Sequence, residues 1–116
     1  MSRRPRLFLQ DILNACTEVT DIVRGLDFES FKSDKLRIAA TVRRLEVIGE
    51  ASRRLPDETR NAMPSVPWGK IIGMRNLLAH AYYNVDRMVV RTVATQRIPE
   101  LVRALESYLR NIEPSP

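Results

Sequence analysis

The sequence predicts an all-α fold, an antiparallel helical bundle, and three observations carry that prediction. Apolar residues recur at alternating steps of three and four in successive segments, the spacing that gathers them on one face of a helix. No segment shows the strict apolar–polar alternation of a half-buried strand. Aspartate, serine, glycine and proline stand at the ends of the periodic runs, where helices start and stop. At 116 residues, 44% hydrophobic and 28% charged, the chain has the size and balance of one globular domain over 1–116. The expected bundle has four to five main helices and a short connector helix.

From Leu7 to Leu26, Leu9, Ile12, Cys16, Val19, Val23 and Leu26 form one helical stripe. Gly25 and the segment Asp27-Phe28-Glu29-Ser30 predict a turn, after which Ser33 is the expected N-cap of a second long helix. That helix carries Ile38, Val42, Leu45, Gly49 and Ser52 on one stripe, flanked by Ile48 and Leu55, and stops at Pro56. A mid-helix glycine costs roughly 1 kcal/mol relative to alanine, so Gly49 predicts a close crossing with another helix.

Pro56-Asp57-Glu58-Thr59 predicts a short helix, with proline in the first turn and acids near the positive end of the dipole. Pro64 stops it, and Pro64-Ser65-Val66-Pro67 is a stiff connector. Trp68 to Ala79 forms a third main helix packed through Ile71, Ile72, Leu78 and Ala79. Tyr83-Asn84-Val85-Asp86 reads as a turn, with Asp86 capping a fourth helix built on Val89, Val90 and Val93. Pro99 predicts a kink or short break, after which Leu101, Val102, Leu105, Tyr108 and Leu109 resume helical spacing. The end, Glu113 to Pro116, is expected to fray.

No apolar run approaches the roughly 20 residues that span a bilayer, so no membrane partner is expected. Met1-Ser2-Arg3-Arg4-Pro5-Arg6 resembles the basic start of a signal peptide. Its apolar continuation stops at Gln10 and Asp11, so the expectation is a cytoplasmic protein. A single cysteine, Cys16, fits a reduced, buried core thiol. The net charge of +5 attracts polyanions such as RNA weakly, because the basic residues are spread over several helices. Gly-rich phosphate loops and Cys/His metal clusters are absent from the sequence, so neither cofactor nor metal is expected.

The chain's only histidine, His80, follows Arg75 by five residues and precedes Tyr82 by two. Histidine takes and gives protons near neutrality, and arginine offers a planar cation matched to phosphate oxygens. On one straight helix, at about 100° per residue, Arg75 and His80 point about 140° apart. Either the helix ends or distorts near His80, or a second copy of the chain brings its own motif alongside. Cutting RNA by attack of the 2′-hydroxyl needs a base, an acid for the leaving 5′-oxygen and a cation for the phosphorane. A two-fold dimer supplies two histidines and two arginines. In that reading Arg75 and His80 are catalytic, Asn76 orients His80 or bonds the RNA backbone, and Tyr82 binds phosphate or stacks on a base. The structural alternative pairs Arg75 with a local carboxylate, sets His80 on helix-end carbonyls and packs Tyr82 and Tyr83 at the core's edge.

Arg43, Glu46 and Glu50 follow helical spacing and read either as a solvated ion-pair face or, at Glu50, as a support that holds Arg75 or another cleft group in position. Trp68 reads first as an anchor of the connector to the core, and second as a base-stacking surface.

These segments together resemble the HEPN superfamily, and within it the HepT-like toxins encoded beside MNT-type minimal nucleotidyltransferase antitoxins. The resemblance rests on R-x-x-x-x-H-x-Y at Arg75, His80 and Tyr82, on Val66-Pro67-Trp68, on Ile71-Ile72-Gly73-Met74-Arg75-Asn76 and on Ile48-Gly49-Glu50-Ala51. Phe28-Glu29-Ser30-Phe31 and Ile98-Pro99-Glu100-Leu101 extend it over nearly the whole chain. It implies a helical homodimer whose motifs line a cleft, and a metal-independent endoribonuclease toxin acting on cellular RNA, transfer RNA among its candidates. It also implies a nucleotidyltransferase antitoxin partner, in a larger hetero-oligomer or not, that adenylylates the motif tyrosine, here Tyr82. The alternative within the family is a non-catalytic helical partner or substrate-binding subunit of a nucleotidyltransferase. A plain RNA-binding dimer is a second class of reading, for which the basic balance suffices.

Overall fold

A computed structural model describes residues 3–80 and 86–112, and at Leu77, Ala79 and His80 it describes the helical backbone alone. The described residues form helices and connecting turns, with no strand. The first helix, α1 (Arg3–Val23), buries Leu9, Ile12, Cys16, Val19 and Val23, the stripe read from the sequence. Burial pushes the Cys16 thiol up to about 12, because an apolar core disfavours the thiolate. Gly25 follows at φ 74°, a left-handed conformation that suits a glycine just past a helix end.

The segment expected as a turn is instead a short helix, α2 (Phe28–Lys32). Asp27 caps it, its carboxylate accepting from the Ser30 amide at 2.8 Å, and Phe31 is fully buried beneath it. Ser33 is not the next N-cap. Its hydroxyl closes the end of α2 by donating to the Glu29 carbonyl at 3.1 Å. Asp34 caps α3 (Lys35–Arg54), accepting from the Arg37 amide at 3.1 Å. Both residue types favour this position, and the carboxylate one residue on takes it.

Helices α1 and α3 run antiparallel. Arg37 donates to the Ile22 carbonyl at 2.8 Å, Arg44 pairs with Glu18 at 3.1 Å, and the Arg54 guanidinium lies 5.9 Å from the Phe8 ring centre. Ascending numbers on one helix thus meet descending numbers on the other. A short α4 (Asp57–Asn61) follows Pro56, which sits at its N-cap rather than within its first turn. Trp68 opens α5 (Trp68–His80) as an anchor: it is buried, and its indole N–H donates to the Arg60 carbonyl at 3.2 Å. Leu78 is buried on α5, whereas Ile71 and Ile72 stay only half-buried, Ile71 at the wall of an open groove.

Asp86 caps α6 (Arg87–Thr92), accepting from the amides of Met88 at 2.8 Å and Val89 at 3.3 Å. Val90 enters the core, but Val89 is 53% exposed, contrary to the sequence reading. At Pro99, where a kink or short break is expected, the helix is distorted but does not break. A π-helical turn, Val93–Arg97, joins α6 directly to α7 (Ile98–Ile112). Proline lacks an N–H for the Thr95 carbonyl four residues earlier and its ring presses on it, so the wider turn absorbs the conflict within one continuous helix. Among the described residues four main helices therefore carry the bundle, with α3 packed between α1 and α5 and α7 against α1. Among the described residues no helix is long and apolar enough to cross a membrane. The turn residues Tyr83 to Val85 and the end from Glu113 lie outside the described residues.

Candidate active site

The crossing of α3 and α5 builds the site. A Cβ placed on Gly49 would collide with the Cβ of Arg75 and stand 2.8 Å from its Cγ and 3.2 Å from the Ile71 carbonyl oxygen. Only a missing side chain lets the helices approach this closely. The approach sets Arg75 beside the next residue of α3: its Nη2 lies 3.3 Å from Glu50 Oε2. Arg75 Nη1 donates to Asn76 Oδ1 at 2.9 Å, so Asn76 serves the arginine here.

Glu50 is shared. Arg53 reaches it at 2.8 Å and Arg54 at 3.3 Å, so one carboxylate faces three guanidiniums. The hydrogen bond from Arg53, helped by the charges of Arg53, Arg75 and Arg54, outweighs burial and holds the Glu50 carboxyl below the usual carboxylate range. The cluster keeps an excess of positive charge. Arg43 and Glu46, 3.4 Å apart, form the ordinary ion-pair face beside it.

A polar pocket of about 240 Å³ opens at this cluster, walled by Phe8 and Asp11 of α1, by Glu46, Glu50 and Arg54 of α3, and by Arg75. A larger open groove of about 840 Å³ runs along the under-covered side of α5, floored by Leu45, Ile48, Ile71, Met74 and Leu101 and edged by Arg103. Among the described residues no group of three or more His, Cys, Asp and Glu side chains is placed to hold a metal ion.

Of the residues singled out in the sequence, the structure brings Arg75, Asn76 and Glu50 together. The backbone of His80 belongs to the same helix as Arg75, without interruption between them. The His80 side chain and the whole of Tyr82 lie outside the described residues. Sequence reasoning missed Phe8, Asp11 and Arg54, because their place depends on the register of α1 against α3, which no local pattern encodes. The one available signal was the Arg53-Arg54 pair, and it reads equally as a solvated helix end.

Residues 12–108 match the model of a family described as ribonuclease HepT-like. A candidate RNase of Caldanaerobacter subterraneus subsp. tengcongensis is 38% identical over 93% of this chain and 96% of its own length. A candidate RNase of Methanocaldococcus jannaschii is 34% identical over 91% of this chain and 98% of its own. A candidate ribonuclease HepT of Thermococcus cleftensis is 37% identical over 87% of this chain and 92% of its own. No solved structure matches.

Proposed function

Because the chain belongs to the HepT-like ribonuclease family of the HEPN superfamily, we propose that it is a metal-independent endoribonuclease in which Arg75 holds the scissile phosphate and His80 moves the protons. The observation that carries the reading is the fixed, half-exposed Arg75. It is set by the Gly49 crossing and held by Glu50, a carboxylate shared among three cations. A guanidinium has five N–H donors, and those left free can meet phosphate oxygens.

In the reaction, a base takes the proton of the 2′-hydroxyl, the oxygen attacks phosphorus, and an acid protonates the departing 5′-oxygen. The products are a 2′,3′-cyclic phosphate and a 5′-hydroxyl. One histidine cannot be base and acid at once. A second copy across a two-fold axis answers this by supplying a second His80 and Arg75. The uncovered apolar side of α5, next to Arg75, supports a second copy as its occupant.

By family resemblance the protein acts as the toxin of a toxin–antitoxin pair, and a nucleotidyltransferase antitoxin adenylylates Tyr82. An attached adenylate brings negative charge and bulk, which repel RNA phosphate and obstruct a cleft. One observation favours a second reading, a non-catalytic partner of the nucleotidyltransferase: Arg75 already has two partners, Glu50 and Asn76, as a purely structural arginine would.

The test is an oligoribonucleotide cut by the protein in the presence of chelator, compared with the same oligonucleotide carrying one 2′-deoxynucleotide at the cut position. Loss of cutting at the deoxy position, with cyclic phosphate ends elsewhere, is the expected result. Equal cutting of both would overturn the 2′-hydroxyl mechanism, and no cutting of either by unadenylylated protein would favour the partner reading.

A further inference from the structure

The pocket beside Arg75 has a wall that neither proton transfer nor phosphate binding uses, the ring of Phe8. Phe8 is half-buried on α1, and the exposed Arg54 guanidinium lies over its ring, 5.9 Å from the centre, where it can be displaced by a stacking base. An aromatic face with arginine beside it is how proteins grip single-stranded nucleic acid: the base stacks on the ring and the cation meets the backbone. The pocket, at about 240 Å³, falls below the roughly 300 Å³ at which sites take whole drug-sized ligands. It therefore suits one part of a longer ligand.

Two carboxylates share the lining, and they differ. Glu46 is engaged by Arg43 at 3.4 Å. The exposed Asp11 makes no ion pair among the described residues. A free carboxylate accepts from the exocyclic amino group of a base and has nothing to accept from the carbonyl in the same place on uracil.

We propose that Phe8, Arg54 and Asp11 form a base-binding subsite for the nucleotide next to the scissile phosphate. The base displaces the Arg54 guanidinium from the Phe8 face and stacks there, the displaced Arg54 takes the adjoining phosphate, and Asp11 selects a base that carries an exocyclic amino group over uracil. The proposal rests on the ribonuclease reading and extends it from where the backbone is cut to which nucleotide is held.

Two readouts test it separately. The first is equilibrium binding of AMP, CMP and UMP, which requires no cleavage, to wild type, Phe8→Leu, Phe8→Trp and Asp11→Asn. Phe8→Leu keeps apolar bulk against the core while removing the π-face, and Asp11→Asn touches no core residue. AMP and CMP should bind more tightly than UMP. Phe8→Leu should weaken all three by about tenfold, Phe8→Trp should restore binding, and Asp11→Asn should erase the preference by tightening UMP, because its amide can donate to the uracil carbonyl. The second readout is the map of cut positions on a mixed-sequence RNA, where the same preference should appear beside the cut and vanish in Asp11→Asn. A protein that cuts RNA but shows neither base preference nor Phe8 dependence overturns the subsite and leaves the ribonuclease reading intact. A protein that cuts nothing but binds mononucleotides with the stated Phe8 and Asp11 dependence keeps the subsite and loses the ribonuclease reading.

Discussion

Arg75 reaches Glu50 with one terminal nitrogen and Asn76 with the other, so its position is fixed before any ligand arrives. A preset cation loses little freedom on binding phosphate, which is the value of holding it. Glu50→Gln keeps the size of the side chain and removes the charge that gathers Arg53, Arg54 and Arg75. Cleavage should fall about tenfold or more, since charge-assisted bonds of this kind are worth roughly 1.5–3 kcal/mol, while at neutral pH the melting temperature falls by a smaller but measurable amount. An unchanged rate in single-turnover assays would reduce Glu50 to a surface ion pair. The sign with pH is determined too. A carboxyl held below its usual range adds stability that is present above about pH 4.3 and is lost as pH falls through its lowered folded value. The difference in melting temperature between wild type and Glu50→Gln should therefore shrink on acidification. At Cys16 the thiol, pushed up to about 12, should resist a thiol reagent at about pH 8 until denaturant is added. Prompt reaction of the native protein would contradict its burial. The sequence made Arg75, Glu50 and Cys16 legible because residue type and helical spacing suffice for each. It left Phe8 and Arg54 unread, because their meeting is a fact about two helices.

Between elements, the α3–α5 crossing decides the site, and Gly49 decides the crossing. Gly49→Ala improves helix propensity by roughly 1 kcal/mol, but its Cβ meets Arg75 inside a packed contact, and overpacking of that kind costs about 1–3 kcal/mol. The net expectation is a lower melting temperature with a larger loss of cleavage, because the collision falls on Arg75 itself. A variant as stable and active as wild type would mean that the helices part easily there. Asp86→Ala should cost about 1 kcal/mol in denaturant unfolding, through the two amides it caps. The glycine crossing and this cap were both readable in advance, each resting on one residue's chemistry. The π-helical turn before Pro99 was not. Proline announces a conflict with the helix, but whether the chain breaks, kinks or widens depends on how Val90, Ala94 and Ile98 are held in the core. Likewise the helix at Phe28–Lys32 owes its form to the burial of Phe31, a tertiary contact, as much as to Asp27.

Over the whole molecule, the all-helical architecture follows from periodicity, and the antiparallel pairing of α1 and α3 is visible in three separate contacts. What periodicity could not supply is the cover for α5, whose half-buried Ile71 and Met74 face an open groove. If a second copy is that cover, sedimentation should give twice the chain mass, and charged substitutions at Met74 should give monomers that no longer cut RNA. Monomeric wild type with full activity would remove the shared cleft. With a net charge of +5 and arginines gathered at the site, RNA affinity should fall steeply as salt rises. The most direct measurement of the central claim is cleavage of total RNA in chelator by wild type and His80→Ala side by side, each checked by intact mass to carry no adenylate. Cleavage by wild type that is lost in a well-folded His80→Ala protein is the predicted result. Equal cleavage by both, or none by well-folded wild type, would contradict a ribonuclease built on Arg75 and His80.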